Sequence, residues 1–206
     1  MKPYKTIGVE ACAEFTEKRS RFIGAVKPVE TPKEAETFIC SVRAEHFAAK
    51  HNVFAYNTLN GGQRCSDDGE PQGTGGVPVL NVIMRSGINN VAVVVTRYFG
   101  GILLGTGGLI RAYSRAASDA IEKAGTVIME PCCFAQTKCT YSDYKTVSKL
   151  IAESGALVDN TVYTDKVDIK FHIKAEKFSD FQNILTDITR GKCSADVLKK
   201  DFCPQK

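Results

Sequence analysis

The stretch Val91-Ala92-Val93-Val94-Val95-Thr96-Arg97-Tyr98-Phe99-Gly100-Gly101-Ile102-Leu103-Leu104-Gly105-Thr106-Gly107-Gly108 decides the fold of the first half of the chain. Residues 91–98 are β-branched and apolar without alternation. Such a strand is buried on both faces, so it is expected at the centre of a sheet. Phe99 to Gly108 is glycine-rich and reads as a loop. A helix is expected from about Leu109 to Ala124, where Ala112, Ala116, Ala117 and Ala120 permit close packing. A buried strand, a glycine-rich loop and a helix in that order also make the topology of an anion cradle, because the first amides of a helix have no partner within it.

Working outward towards the amino terminus, residues 77–85 read as a helix and 51–59 as a strand, with a polar, glycine-rich loop between them. Thr31-Pro32-Lys33-Glu34 is a capping box with proline at the first helical position. The helix it opens is expected to bury Ala35, Phe38, Ile39 and Val42. Tyr4–Val9, Cys12–Glu17 and Arg21–Val26 read as strands of a meander. Towards the carboxy terminus, 132–139 reads as a strand, and Ser142 is placed to cap a helix ended by Gly155. Residues 157–163 read as a strand. Then Val167, Ile169, Phe171 and Ile173 alternate with Asp168, Lys170, His172 and Lys174, the pattern of a half-buried antiparallel strand. A helix through Phe178, Phe181, Leu185 and Ile188 and a last strand near 194–202 complete a βαββαβ order. That order is the ferredoxin-like arrangement. The expectation is an α+β protein of two domains, residues 1–128 and 131–206.

Composition narrows the setting. Of 206 residues, 27 are basic and 23 acidic, giving a net charge of +4. Up to residue 130 there are 15 Lys+Arg against 13 Asp+Glu, and after it 12 against 10, so neither half is a basic arm. This mild excess permits an acidic partner without demanding one. No run approaches the ~18 apolar residues of a membrane span, and no apolar segment follows the charged start as a secretory signal would require. A cytoplasmic protein without membrane contact is expected. Its eight cysteines, Cys12, Cys40, Cys65, Cys132, Cys133, Cys139, Cys193 and Cys203, are then expected as free thiols. None is spaced as a zinc pair, since Cys132 and Cys133 are adjacent and point to opposite faces.

Two loops carry the candidate chemistry. In Ser66-Asp67-Asp68-Gly69-Glu70-Pro71-Gln72-Gly73-Thr74-Gly75-Gly76, the carboxylates Asp67, Asp68 and Glu70 could hold a divalent cation or act as acid and base. They could equally be a surface turn. Gly75 and Gly76 precede a helix, so their amides are candidates to receive an anion. In the second loop, Gly105, Thr106, Gly107 and Gly108 are the candidate amides, with Arg97, Arg111 and Arg115 as candidate cations. The known nucleotide motifs fail here. Gly100 and Gly105 have the spacing of a P-loop, but Thr106-Gly107 stands where Lys-Ser/Thr is needed. Gly105-Thr106-Gly107 begins a dinucleotide fingerprint, but Ile110 occupies its last glycine position. No cofactor and no metal is therefore expected. Ile102, Leu103 and Leu104 would anchor a protein partner if exposed. A Cys65 nucleophile paired with His46 or His51 is conceivable from residue type alone.

Phe22-Ile23-Gly24, Val42-Arg43-Ala44-Glu45-His46, Ser66-Asp67-Asp68-Gly69-Glu70-Pro71 and Arg97 through Leu109 resemble the IMPACT/YigZ family over roughly residues 4–125. The remainder resembles the small carboxy-terminal domain of the bacterial members. The resemblance implies a first domain similar to domain IV of elongation factor G and to the second domain of a ribosomal small-subunit protein. It implies a second domain similar to domain V of that factor, where these neighbours work against ribosomal RNA. Eukaryotic relatives regulate translation by binding the activator of a stress kinase and carry an extra amino-terminal RWD domain, whereas this sequence begins directly with the core domain. Three readings stand. The first is RNA or ribosome binding by shape and backbone charge. The second is protein-interaction regulation of a translation stress response. The third is an enzyme acting on a phosphorylated substrate with a divalent metal.

Overall fold

The computed structural model of the protein describes residues 1–205. The chain forms two compact units, one of residues 4–128 and one of residues 129–206 with residues 1–3. Among the described residues, no helix is long and apolar enough to cross a membrane.

The first unit is built on β2 (Ala11–Glu17), β3 (Ser20–Pro28), β4 (His51–Thr58), β5 (Gly62–Ser66) and β6 (Val91–Tyr98), ordered β2-β3-β6-β4-β5. All neighbours are antiparallel. The apolar β6 stands third of five, and Val91 to Val95 are fully buried. Its side chains divide between two cores. Val91, Val93 and Val95 face α2 (Gly76–Arg85) and α3 (Thr106–Ala124). Ala92 and Val94 face α1 (Pro32–Glu45), which contributes Ala35, Phe38, Ile39 and Val42. Each valine so enclosed stabilises the fold by about 1.5–3 kcal/mol relative to exposure. The capping box forms as read: Thr31 accepts from the Glu34 amide, and Glu34 accepts from the Glu30 amide. Helix α3 runs so close to β3 that any side chain at Gly24 would strike the Ala116 carbonyl.

Three expectations for this half change. The strand β1 (Tyr4–Ile7) stands outside the sheet, so the meander reduces to the β2–β3 hairpin, whose turn residues Lys18 and Arg19 take positive φ of 44° and 64°. The polar stretch after β4 contains β5, an edge strand. Its residues are exposed or half-buried, so it carries no apolar alternation to read. Helix α3 begins at Thr106, three residues before the first buried position, because Thr106 and Gly107 are exposed and add nothing to the apolar periodicity.

In the second unit β7 (Thr126–Cys139), α4 (Tyr141–Glu153), β8 (Leu157–Tyr163), β9 (Val167–Lys174), α5 (Phe178–Ile188) and β10 (Ala195–Pro204) follow the βαββαβ order. The strands lie in the order β10-β7-β9-β8, the 4-1-3-2 sheet of a ferredoxin-like domain. The alternation read in β9 is observed: Val167, Ile169, Phe171 and Ile173 are buried with Val147, Ile151, Phe181 and Leu185. Helix α4 is capped by Thr140 rather than Ser142, with the Asp143 amide donating to the Thr140 hydroxyl. The free-thiol expectation also needs correction. Cys132 and Cys203 form a disulfide, and six cysteines remain free. Antiparallel pairing sets Asp201 opposite Cys132, which leaves Cys203 one diagonal away with a Cα separation of 6.1 Å. That separation lies within bridging range. Sequence spacing alone cannot reveal such a pairing.

Candidate anion-binding site

The acidic loop is a piece of internal scaffolding. Asp67 accepts from the amides of Gly75 (2.9 Å) and Gly76 (2.8 Å) with one oxygen and from Gly73 (2.8 Å) with the other. Burial by itself would raise its pKa, but the three amides outweigh burial and hold the carboxyl below the usual range. The N-terminus of α2 is thus filled by the protein's own carboxylate. Gly75 and Gly76 offer nothing to an outside anion, contrary to the expectation. Asp68 pairs with Arg43 (2.5 Å) and accepts from the Asn52 amide (2.6 Å). Glu70 is 8% exposed and accepts from Arg97 Nη1 (2.6 Å) and from the Tyr113 hydroxyl (2.7 Å). Burial, followed by the Glu70 charge, pushes the Tyr113 phenol far above its ordinary pKa, so it stays a donor. Each carboxylate has separate partners. Among the described residues, no group of three His, Cys, Asp or Glu could hold a metal.

Cys65 packs against the core, and burial pushes its thiol pKa up, which suits an inert thiol. His46 bonds the Tyr98 hydroxyl (3.1 Å), and His51 Nδ1 donates to the Asp68 carbonyl (2.8 Å). Neither histidine is directed at Cys65 by these bonds.

The second loop is different. Gly105 caps α3 in a positive-φ conformation (73°) that glycine adopts freely, and it has no side chain to offer. Leu109 donates to the Gly105 carbonyl, but the amides of Thr106, Gly107 and Gly108 point out of the first turn without a capping acceptor. No acidic residue occupies that turn. Helices α1, α2 and α4, by contrast, have Thr31, Asp67 and Thr140 at this place. Arg111 folds back towards this end, its Nη1 3.5 Å from where a Gly107 Cβ would stand. A guanidinium beside the positive end of a helix is unfavourable on its own; an anion shared between them removes the repulsion.

Two cavities flank the end of α3. A groove of about 250 Å³ is lined by Lys18, Gly108, Arg111 and Arg115 together with Phe15, Glu17 and Leu104. Arg115 lies over the Phe15 ring at 4.2 Å and is 3.4 Å from Asp119. On the other side, a cleft of about 460 Å³ is lined by Lys50, His51, Glu70, Arg97, Phe99, Leu103, Gly105 and Thr106, among others. Leu104 lines both. The two glycine-rich loops therefore converge on one cleft. Its one carboxylate, Glu70, is already satisfied by Arg97 and Tyr113. Arg97 is 5% exposed and lies between the rings of Phe22 (5.6 Å) and Phe99 (5.4 Å), while its Nε is buried without a hydrogen-bond partner. An unmet buried donor costs about 1–3 kcal/mol. Of the apolar triplet, Leu103 is 81% exposed and Ile102 40%, while Leu104 packs on the core.

Of the residues singled out from the sequence, Arg97, Gly105, Thr106 and Glu70 meet at the cleft. Gly108, Arg111 and Arg115 meet at the groove, with Gly107 between. Asp67, Asp68, Gly75 and Gly76 turn inward. Lys18, Lys50, Phe99 and Tyr113 escaped the reading because a hairpin turn, two loop positions and the packing of α3 on the sheet bring them to the site, which no local pattern carries.

A family model described as the Impact N-terminal domain matches residues 18–121, and one described as a domain of unknown function matches residues 137–192. The chain is 34% identical to the IMPACT family member YvyE of Bacillus subtilis, over 92% of this chain and 88% of that one. It is 35% identical to the IMPACT family member YigZ of Escherichia coli, over 84% and 87%. Protein IMPACT of Mus musculus is 35% identical over 44% of this chain and 30% of its own length. A solved structure described as that of a hypothetical protein aligns over 97% of this chain and 98% of that one, with a TM-score of 0.64 and 31% identity.

Proposed function

The chain belongs to the IMPACT family, and we propose that it is a cytoplasmic, translation-linked protein that binds RNA or the ribosome through the phosphate backbone. The observation that carries this reading is the open N-terminus of α3. Three capless amides, Arg111 beside Gly107, and Lys18 and Arg115 in the adjoining groove make a place for phosphate oxygens. The resemblance of both domains to elongation factor G supports the same partner. The enzyme reading loses its support, since Asp67, Asp68 and Glu70 hold the protein's own groups. A second reading, capture of a protein partner, is favoured by one observation, the exposure of Leu103 beside Phe99.

Co-sedimentation with ribosomes and filter binding to RNA test the proposal. Binding should fall steeply between about 50 and 200 mM salt, and R111A/R115A should weaken it roughly tenfold or more, about the loss of one or two phosphate contacts. Binding that ignores salt and survives R111A/R115A but is lost in L103S would sink the proposal in favour of the protein partner.

A further inference from the structure

We propose that the Cys132–Cys203 bridge is a reversible thiol–disulfide couple, through which a dithiol reductant releases the C-terminal end of β10 from β7. This goes beyond the RNA reading and takes from it only the cytoplasmic setting, where a disulfide that forms is usually transient or redox-sensing. The packing of β10 suits that part. The strand pairs with β7, and none of its ten residues is buried. Val197 and Leu198 are 41% and 54% exposed, and the ladder shifts register between Val197 and Lys199. A segment with few buried apolar contacts opens at low cost. The bridge ties the end of this strand, beyond the register shift, to Cys132, which is buried within β7. It is a covalent restraint on a thinly packed strand, and breaking it leaves residues 201–204 held by the ladder and by half-buried side chains.

Access and chemistry point the same way. Both cysteines line a hollow of about 180 Å³, so a small dithiol has room to approach. Cys203 is half-buried and the more exposed of the two residues, which makes it the point of attack. One thiolate of the dithiol bonds to Cys203 Sγ. The bond between Cys203 and Cys132 breaks, and its electron pair leaves on Cys132, which takes up a proton. The second thiolate of the reductant then displaces Cys203, which is protonated in turn. The reductant departs as a disulfide, and two electrons and two protons have passed to the pair. The other thiols of this unit, Cys133, Cys139 and Cys193, are buried in its core, so exchange stays within the pair.

Native-state alkylation of the full-length oxidised protein, read by peptide mass mapping, tests the couple. Without reductant, Cys132 and Cys203 should take no label. After millimolar dithiothreitol, with no denaturant, Cys203 should label fully, and oxidised dithiothreitol should reverse this. In the reduced protein, amide hydrogen exchange over residues 199–204 should quicken roughly tenfold or more while that of β9 is unchanged, the mark of local rather than global opening. Glutathione disulfide should form a mixed disulfide at Cys203 in C132S and none at Cys132 in C203S. Reduction of the wild type needs neither variant, so the test survives if one fails to fold. A bridge that yields only in denaturant would overturn the proposal in favour of a structural disulfide. Labelling of both cysteines before any reductant would overturn the bridge itself, and unchanged exchange over 199–204 after reduction would overturn the release. None of these readouts involves RNA, so their failure leaves the backbone-binding reading untouched.

Discussion

At Asp67 one carboxylate replaces a capping residue from outside the helix it caps, taking amides from Gly73, Gly75 and Gly76. Asparagine would keep one acceptor oxygen but lose the charge and set an NH2 group against an amide that now donates to Asp67, so D67N should destabilise the protein by about 1–3 kcal/mol in denaturant melts at neutral pH, the scale of a lost hydrogen bond to a charged group. The sign with pH follows from the direction of the shift. The folded carboxyl titrates below the ~3.9 of an unfolded aspartate, so its contribution is complete above that value and is lost as pH falls through the folded pKa. The gap between wild type and D67N should therefore hold at pH 5–7 and narrow as pH falls below the ~3.9 of the unfolded carboxyl; a gap that widens in acid would refute the capping role. Three carboxylates in four residues were legible in the sequence as something unusual. Their employment was not, because Arg97 and Tyr113 reach Glu70 from 27 and 43 residues away. Spacing displays the acids and conceals the partners that satisfy them.

The ends of elements, more than their middles, separate what the sequence states from what it withholds. The middle of β6 and the alternation of β9 announce their burial, and the Thr31–Glu34 box announces the start of α1. Edge strand β5 and the first turn of α3 are exposed, and exposure erases the apolar period that would mark them. That first turn is also the element on which the functional reading depends, and T106D sets its two roles against each other. Thr106 is exposed, and an aspartate there meets the unfilled positive end of the helix. It should raise stability by about 0.3–1 kcal/mol. The same negative charge occupies the place of the phosphate, so RNA affinity should drop roughly tenfold or more. A variant that melts higher and binds worse identifies the open end as a binding feature. A variant that binds RNA as well as the wild type removes α3 from the interface.

On the scale of the whole molecule, a net charge of +4 is too small to draw the chain to RNA by itself, and it is divided almost evenly along the sequence. What matters is placement. The β2–β3 turn brings Lys18 to the face where α3 carries Arg111 and Arg115, so three cations line one groove although their sequence positions span most of the first unit. A site of this kind has a salt signature distinct from that of diffuse charge. For single-stranded RNA the slope of log K against log salt is about −0.7 per neutralised phosphate, so three cations predict a slope near roughly −2. R111A should flatten it by about 0.7. Lys33 supplies the control, since it is equally cationic and exposed but sits on α1, which packs against the opposite face of the same sheet. K33A lowers the net charge by the same single unit and should leave the slope unchanged. If K33A and R111A flatten the slope alike, binding follows total charge and the groove has no special part in it.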